Sequence, residues 1–507
     1  SRTCRSASRW MSAAPQCTRS ARKSGGPRSK NRRWSLSDTF YWHDYETFGI
    51  DPSRDCPSQF AGVRTNENLD VIGEPLSIYC QPPQDRLPAP MACLVTGITP
   101  QLALDKGLPE KAFIEQIHRE FSVPGTCGVG YNSIRFDDEV TRYALYRNFY
   151  DPYEREWKQG NSRWDIIDMV RLARALRPEG VEWPNYENGS PCFKLERLTE
   201  ANNISHDSAH DALSDVLATI AMAKLIMTKQ PKLYHYIYQG RLKHKVAELV
   251  DLRHRKPFLH VSGRLPRENG YTALMMPLVR HPTNKNSIIC FNLMGNVEAL
   301  LNLSAEEIQQ RLFTRAEALP EGVERLPLKG VQLNRCPVVA TPKLLDAASA
   351  KRLDISIEQC EKNWHLLQQH DLSSKLEQVF SSHYEKISNP ERRLYDGFLD
   401  DVDKGLLPEV RRASAAELAS DSIHFQDERY QQLLFLYRAK NYPETLNEDE
   451  RHEWEEIRFQ RLTNPSEGFL TLDTYSAEIS ELLAQEDISE RDRNILWAIE
   501  EWGSQIL

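Results

Sequence analysis

Several features that would assign a protein to a simple class are missing from this sequence of 507 residues. The longest apolar run, 273–279, is about seven residues long, whereas a membrane-spanning helix needs about 20. The ten cysteines lie at least 13 positions apart and form no CxxC pair, which excludes structural zinc and redox-disulfide motifs. We therefore expect no membrane span, and scattered free thiols that fit the reducing cytoplasm.

Acidic residues are absent from positions 1–37, which carry ten Lys and Arg residues, whereas 391–507 has a net charge of −14 and 38–390 of −4. We interpret 1–36 as a disordered basic extension, either a transit peptide or upstream translated sequence, and exclude it from the fold. The rest suits about three domains of about 150 residues. Its acidic balance argues against a nonspecific nucleic-acid coat but permits a local basic groove.

Strand-like and helix-like segments alternate over the first half of the sequence. Aromatic residues at Thr39–His43 and the apolar segment Cys127–Tyr131 predict strands, whereas 111–121 and 164–176 have helical spacing. This alternation favours an α/β fold. Short strands separated by turns follow from about 257, at Phe258–Val261, Thr272–Val279 and Ser287–Leu293, and the sequence becomes helical from about 387.

An apolar helix is predicted after Ser208, with Ser208 and Asp211 as a capping box and Pro231 at its end. Asp215 lies within this apolar pattern. A buried, unpaired carboxylate costs several kcal/mol, so Asp215 requires a cation, and a Lys or Arg partner would serve as well as a metal. His210, near the start of the helix, could be an ordinary surface residue.

Two further carboxylate sites follow predicted strands. Asp44 and Glu46 are two positions apart at the end of the first strand, so their side chains point the same way. They could bind Mg²⁺, which prefers oxygen ligands, or lie in a solvated turn. Asp137 begins a predicted helix, where an acid is also favoured by the helix dipole.

The order of these residues is more specific than any one of them. Asp-x-Glu, a later Asp and His-x4-Asp resemble the DEDD superfamily of 3′→5′ exonucleases, in its His-bearing (DEDDh) subtype. Longer segments resemble the bacterial exodeoxyribonuclease I family over about 39–507, namely HDYETFG, GYNSIRFDDEVTRYALYRNFYDPY, NSRWDIIDMVRLARALRPEG, LTEANNISHDSAHDALSDVLATIAMAKL, KPFLHVSG and KNYPETL.

This resemblance implies the architecture of the chain. An α/β ribonuclease H-like exonuclease domain (37–230) would be followed by an SH3-like, β-rich α+β domain (231–385) and an all-helical C-terminal domain (387–507). Together they would form a C-shaped clamp around single-stranded DNA. A monomer in the bacterial cytoplasm is expected.

The resemblance also implies a chemistry. Asp44, Glu46 and Asp215 would hold one Mg²⁺, and Asp44 would bridge to a second Mg²⁺ supported by Asp137. Mn²⁺ is expected to substitute. His210 would take the proton of the attacking water. The enzyme would release 5′-mononucleotides stepwise from the 3′ end of single-stranded DNA, in DNA repair and recombination.

Other residues match substrate and partner contacts of the family. The implied DNA contacts are Glu46, Arg142, Tyr153, Trp157, Phe193, Lys194, Lys243, Asn286 and Asn334. Lys194 stands where the family more usually has Arg and loses the bidentate fork. Arg177, Tyr236 and Lys256 would bind the C-terminal tail of single-stranded-DNA-binding protein. Thr341, Asp346 and Gln368 are less basic than the family pattern, which predicts a weaker interaction.

Two alternatives remain open. The same carboxylates could serve a 3′→5′ exoribonuclease, although such relatives are much shorter than this sequence. A non-catalytic scaffold that binds single-stranded DNA would need none of the five chemical residues.

Overall fold

The computed structural model describes residues 38–206, 210–315, 318–381, 387–420 and 422–506. These residues belong to two compact units. The first unit comprises Asp38–Ile166, Lys194–Leu225 and Tyr384–Leu507, and the second comprises Ile167–Phe193 and Ile226–His383. None of the helices in the described ranges is both long enough and apolar enough to cross a bilayer.

The described residues before position 231 contain five strands and seven α-helices. The strands are β1 (Thr39–Thr47), β2 (Pro57–Thr65), β3 (Leu76–Tyr79), β4 (Thr126–Gly130) and β5 (Ser162–Asp165). The helices are α1 (Pro90–Thr96), α2 (Pro100–Lys106), α3 (Glu110–Phe121), α4 (Asp137–Arg147), α5 (Ile167–Leu176), α6 (Leu195–Ala201) and α7 (Ala212–Lys229).

The first sheet is mixed and has the strand order β3-β2-β1-β4-β5. Strand β1 pairs antiparallel with β2 and parallel with β4, and β4 pairs parallel with β5. Because β1 and β4 run in the same direction, their carboxyl ends meet at one edge of the sheet. The end of β1 and the start of α4 therefore lie at the same edge.

The aromatic residues of β1 explain why this strand is central. Tyr41 and Tyr45 lie on one face, in a buried cluster with Phe60 and Phe113. The other face begins with Phe40 and Trp42, whose ring centroids are 5.7 Å apart. Side chains alternate along a strand, so the face of Phe40 and Trp42 is also that of Asp44 and Glu46.

The next part of the chain forms a second sheet within the second unit. Its strands are β6 (Phe258–Val261), β7 (Thr272–Arg280), β8 (Ser287–Asn292), β9 (Leu328–Gln332) and β10 (Val338–Ala340). They are antiparallel, in the order β10-β6-β7-β8-β9. The helices are α8 (Pro231–Gly240), α9 (Lys243–Leu249), α10 (Val297–Asn302), α11 (Ala305–Phe313), α12 (Ala347–Arg352), α13 (Ile357–Gln368) and α14 (Ser373–Phe380).

The described residues after position 386 are helical and contain no strand. The helices are α15 (Asp401–Arg412), α16 (Ala415–Ala419), α17 (Glu428–Asn441), α18 (Glu448–Thr463), α19 (Leu472–Leu483) and α20 (Glu490–Gln505). Buried apolar residues of α17 share a core with Tyr146 of α4 and the adjacent Phe149, so these helices pack within the first unit.

The structure confirms the predicted α/β, β-rich and helical order of the chain and corrects two details. Trp164 belongs to β5, and the helix predicted from it begins only at Ile167. The apolar helix begins at Ala212, where the Asp211 side chain accepts a hydrogen bond from the Ser214 amide at 3.2 Å. Asp211 therefore caps the helix, and the predicted cap Ser208 lies outside the described residues.

Candidate active site

The carboxylates of β1 form the first part of the candidate site. Asp44 and Glu46 lie on the same face of the strand and are half-buried. Burial, followed by the charges of Asp215 and Asp137, raises the pKa of Glu46 to about 8. The pKa of Asp44 is raised well above its ordinary range by burial and then by Asp137 and Glu46. Both residues thus lie in an environment that disfavours negative charge.

Asp137 is held against β1 by a backbone contact. It is the first residue of α4 and is 5% exposed. Its Oδ1 atom accepts a hydrogen bond of 3.0 Å from the amide of Tyr45, the residue between Asp44 and Glu46. Burial raises its pKa to about 8. The parallel pairing of β1 and β4 thus brings Asp137 beside the first two carboxylates.

The residues before and within α7 complete the group. His210 precedes the helix with a left-handed φ of +68°, a conformation in which His occurs more often than most residues. One side-chain ligand atom from each of Glu46, His210 and Asp215 lies within 4.8 Å of the others. The structure therefore brings Glu46, His210 and Asp215 together, and their roles stay a prediction.

The donor set fits a divalent cation. Within the ranges that the structure describes, no Lys or Arg forms an ion pair with Asp44, Glu46, Asp137 or Asp215, so the Lys or Arg partner considered for Asp215 is absent there. Carboxylate oxygens are the ligands that Mg²⁺ prefers. A bound cation would offset the burial that raises the pKa of all four carboxylates and the mutual repulsion that further raises those of Asp44 and Glu46.

His206 is a part of this environment that sequence reasoning missed. Its side chain is 5% exposed and forms a hydrogen bond from Nε2 to Oδ1 of Asp215. The hydrogen bond lowers the pKa of Asp215, but burial outweighs it and the pKa is raised overall. The only signal in the sequence is a second His four positions before His210, and loop geometry decides where such a residue points.

Asp138, the neighbour of Asp137, has a structural role. It is the second residue of α4 and is 2% exposed. It pairs with Arg155 at 2.7 Å and with Arg163 at 2.9 Å, and these charges hold its pKa well below its usual range despite burial. Because α4 is buried on all sides, Asp138 forms these ion pairs in the interior of the protein.

The predicted DNA contacts in the first unit differ in accessibility. Trp157 is 64% exposed and offers a free indole face. The Lys194 side chain is 60% exposed, with its Nζ 3.7 Å from Glu196 Oε1. Arg142 is only 4% exposed and its guanidinium lies 5.3 Å from the ring centroid of Tyr153. The guanidinium of Arg142 is therefore buried beside Tyr153, and its predicted contact with DNA stays a prediction.

The predicted DNA contacts in the second unit form two groups. Phe193 is 7% exposed and packs against Tyr271, with ring centroids 5.7 Å apart. Lys243 Nζ donates to Asn286 Oδ1 at 2.7 Å. The carbonyl of Asn286 accepts from the amide of Leu333 at 2.8 Å, and Asn334 is the next residue along the chain. Lys243, Asn286 and Asn334 thus form one polar surface.

The predicted partner residues lie beside a cavity of the second unit. The cavity has a volume of about 310 Å³, and Lys256, Thr341 and Trp364 are among its lining residues. The Tyr236 hydroxyl accepts a hydrogen bond of 3.3 Å from the Thr341 amide. Arg177 Nη1 lies 3.5 Å from Asp346 Oδ2, so the less basic residue at 346 reduces the positive charge there.

Three family models match consecutive parts of the chain. They describe an exonuclease over 41–223, the exonuclease I SH3-like domain over 241–382 and the exonuclease I C-terminal domain over 388–506. Together they cover most of the residues after position 40.

Relatives match the chain over nearly its whole length. The exodeoxyribonuclease I of Haemophilus influenzae is 42% identical over 92% of this chain and 99% of its own. A structure of exonuclease I from Methylocaldum szegediense has a TM-score of 0.88 and 48% identity, covering 92% of this chain and 99% of its own. The structure of Escherichia coli exonuclease I in complex with a dA16 oligonucleotide has a TM-score of 0.89 and 42% identity, covering 93% of this chain and 100% of its own. A further E. coli structure is a zinc-bound complex with single-stranded DNA. Another matching structure contains exonuclease I with single-stranded-DNA-binding protein (SSB) and an inhibitor. The chain belongs to the exodeoxyribonuclease I family.

Proposed function

We propose that this chain hydrolyses the terminal phosphodiester bond at the 3′ end of single-stranded DNA and releases 5′-mononucleotides, in DNA repair. The group of Asp44, Glu46, Asp137 and Asp215 carries the proposal, because these carboxylates converge without a Lys or Arg partner in the described part of the chain. The E. coli relative with bound dA16 supports the choice of substrate.

In this proposal the carboxylates hold two Mg²⁺ ions, for which Mn²⁺ substitutes. When bound, the ions supply charge stabilisation for the attacking and leaving oxygens of an in-line displacement. His210 is exposed and lies at the rim of the carboxylate group, where its imidazole takes a proton from the attacking water. Glu46, fixed on β1, orients the terminal nucleotide.

The strand would be held mainly by stacking and by surface cations. Trp157 offers an accessible aromatic face, and base stacking contributes about 1–3 kcal/mol per base without sequence preference. Lys194 and the polar surface of Lys243, Asn286 and Asn334 offer donors to phosphate oxygens. Tyr153 and Phe193 are proposed to contribute from less exposed positions.

The decisive experiment uses single-stranded DNA labelled at its 5′ end. Wild-type protein with Mg²⁺ is expected to give a ladder that shortens from the 3′ end, and EDTA is expected to abolish it. Asp215→Asn should lower the rate of shortening at least 100-fold while DNA binding persists. Asp70→Asn, at an exposed acid paired with Lys224, is the matched control and should keep the wild-type rate.

Parallel substrates separate the alternatives. Equal rates on matched RNA and DNA would favour an exoribonuclease. Tight binding of DNA with no shortening, in Mg²⁺ or Mn²⁺, would favour a non-catalytic scaffold. A wild-type rate in Asp215→Asn would contradict the assignment of the metal site.

We also propose that the chain acts as a monomer in the bacterial cytoplasm. A third proposal is that it binds the acidic C-terminal tail of SSB in the cavity beside Lys256. The matching structure of exonuclease I with SSB and an inhibitor supports the choice of partner. A labelled tail peptide should bind the wild type, and Lys256→Ala should weaken it about tenfold. Lys158→Ala, at an exposed Lys paired with Glu154 in the first unit, should leave binding unchanged.

A further inference from the structure

His206 is fixed on both sides of its ring. Its Nε2 atom is hydrogen-bonded to Oδ1 of Asp215, and its Nδ1 atom lies 3.1 Å from the Thr199 hydroxyl. With 5% of its side chain exposed, the ring has little room to turn. The imidazole thus links α6, which carries Thr199, to α7, which carries Asp215.

Thr199 is itself a rigid anchor. It is 0% exposed, and its hydroxyl oxygen lies 3.0 Å from the Leu195 carbonyl and 2.9 Å from that of Glu196. Its own carbonyl accepts a hydrogen bond of 2.9 Å from the Ile204 amide. The loop that leads to His206 is therefore tied back to the end of α6.

We propose that His206 is a positioning residue that orients the Asp215 carboxylate for a divalent cation, an inference that rests on the metal site of the proposed function. The His206 imidazole contacts the Asp215 carboxylate through Nε2 and the Thr199 hydroxyl through Nδ1, so the ring bridges the two side chains. The group whose ligand atoms lie within 4.8 Å of one another consists of Glu46, His210 and Asp215 and does not include His206. His206 therefore acts through Asp215 and does not itself bind the ion.

The chemistry of carboxylates makes this arrangement productive. A carboxylate offers about four lone-pair sites on two oxygens, so it can accept the bond from His206 and still bind a cation. Carboxylates that ligate metals are commonly held by such outer hydrogen bonds, and loss of one costs about 10–100-fold in metal affinity. Without His206, Asp215 would be free to rotate away from Glu46.

Two substitutions distinguish the two sides of the ring. In His206→Gln the amide nitrogen replaces Nε2 and can still donate to Asp215, whereas in His206→Asn it replaces Nδ1 and reaches only toward Thr199. Binding of Mn²⁺ by the full chain, without DNA, is measured from the electron paramagnetic resonance signal of the free ion. We expect the Kd for Mn²⁺ to rise about 10–100-fold in His206→Asn and to stay within about threefold of wild type in His206→Gln.

A second His–Asp pair provides the matched control. His254 Nδ1 lies 2.6 Å from Asp251 Oδ2 on the exposed surface of the second unit, so His254→Asn should leave the Kd for Mn²⁺ unchanged. Thermal unfolding in EDTA checks that each variant is folded. Equal Kd values for His206→Asn and His206→Gln would overturn the inference, as would tighter binding in His206→Asn, which would mean that His206 competes with the ion.

The outcome is independent of the test of function. If wild-type protein binds Mn²⁺ but does not shorten DNA, the proposed function fails, and the two Kd values still decide the role of His206. If DNA is shortened and both variants bind Mn²⁺ as the wild type does, only the inference fails.

Discussion

Arg142 illustrates how a single residue can match a family contact and yet be engaged elsewhere. Its guanidinium donates to Glu156 at 2.7 and 2.9 Å, to Glu139 at 3.0 Å and to the Tyr395 hydroxyl at 2.9 Å. These carboxylates hold the guanidinium inside the first unit. The role of Arg142 in DNA binding stays a prediction, and its structural role is the more direct one.

Replacement of Arg142 should therefore cost stability. Arg142→Ala removes one partner of Glu139 and leaves Glu156 paired with Arg163. Breaking a buried ion pair costs about 3 kcal/mol or more. Urea unfolding should show this loss, whereas Lys158→Ala, which removes an exposed pair with Glu154, should cost less than about 1 kcal/mol. Unchanged stability in Arg142→Ala, with weaker DNA binding, would show that the residue serves the substrate alone.

The raised pKa values at the site predict a pH dependence of the metal-free protein. Asp137 and Glu46 have pKa values of about 8 in the folded chain and about 4 when unfolded. Between these values the folded state binds more protons, so the free energy of unfolding falls as pH rises. In EDTA, the Tm should fall from pH 5 to pH 8, and less steeply in Asp137→Asn, whose amide oxygen can still accept from Tyr45. Parallel slopes in the two proteins would contradict the raised pKa of Asp137.

At the scale of elements, strand patterns indicated where the acids lie, and the resemblance to the DEDDh exonucleases joined them into one predicted site. Asp44 and Glu46 follow from the two-residue period of β1, and Asp137 from its place after β4. Burial of α4 on all sides could not be predicted, because its sequence mixes charged and apolar residues without a polar face. The positions of His206 and Arg142 were unpredictable for a related reason: contacts between elements, absent from local patterns, decide which charges are paired.

The same burial makes Asp138 a strong determinant of the stability of α4. Asp138→Ala leaves Arg155 and Arg163 buried with one carboxylate fewer, and we expect a loss of about 3–5 kcal/mol. Chemical denaturation would measure it. Asp105→Ala, at an exposed acid of α2, should change the free energy of unfolding by no more than about 0.5 kcal/mol. A loss of that small size in Asp138→Ala would mean that the two arginines find other partners.

At the scale of the whole molecule, the thiols were predicted to be free, and the eight described cysteines are free. Seven of them are buried and Cys336 is partly exposed, so burial and not bonding protects them. We expect the Tm to be the same with and without dithiothreitol. A decrease on reduction would reveal a disulfide that the described residues do not contain.

The parallel pairing of β1 with β4, and the return of the chain to α7, have a consequence for biosynthesis. Asp44 and Asp215 are 171 positions apart, and at about 5–20 residues per second the ribosome needs roughly 10 to 30 seconds to make the chain between them. During that interval the nascent chain carries the first acids of the site without the last. We therefore expect a growing nuclease built in this order to cleave no nucleic acid until α7 has emerged.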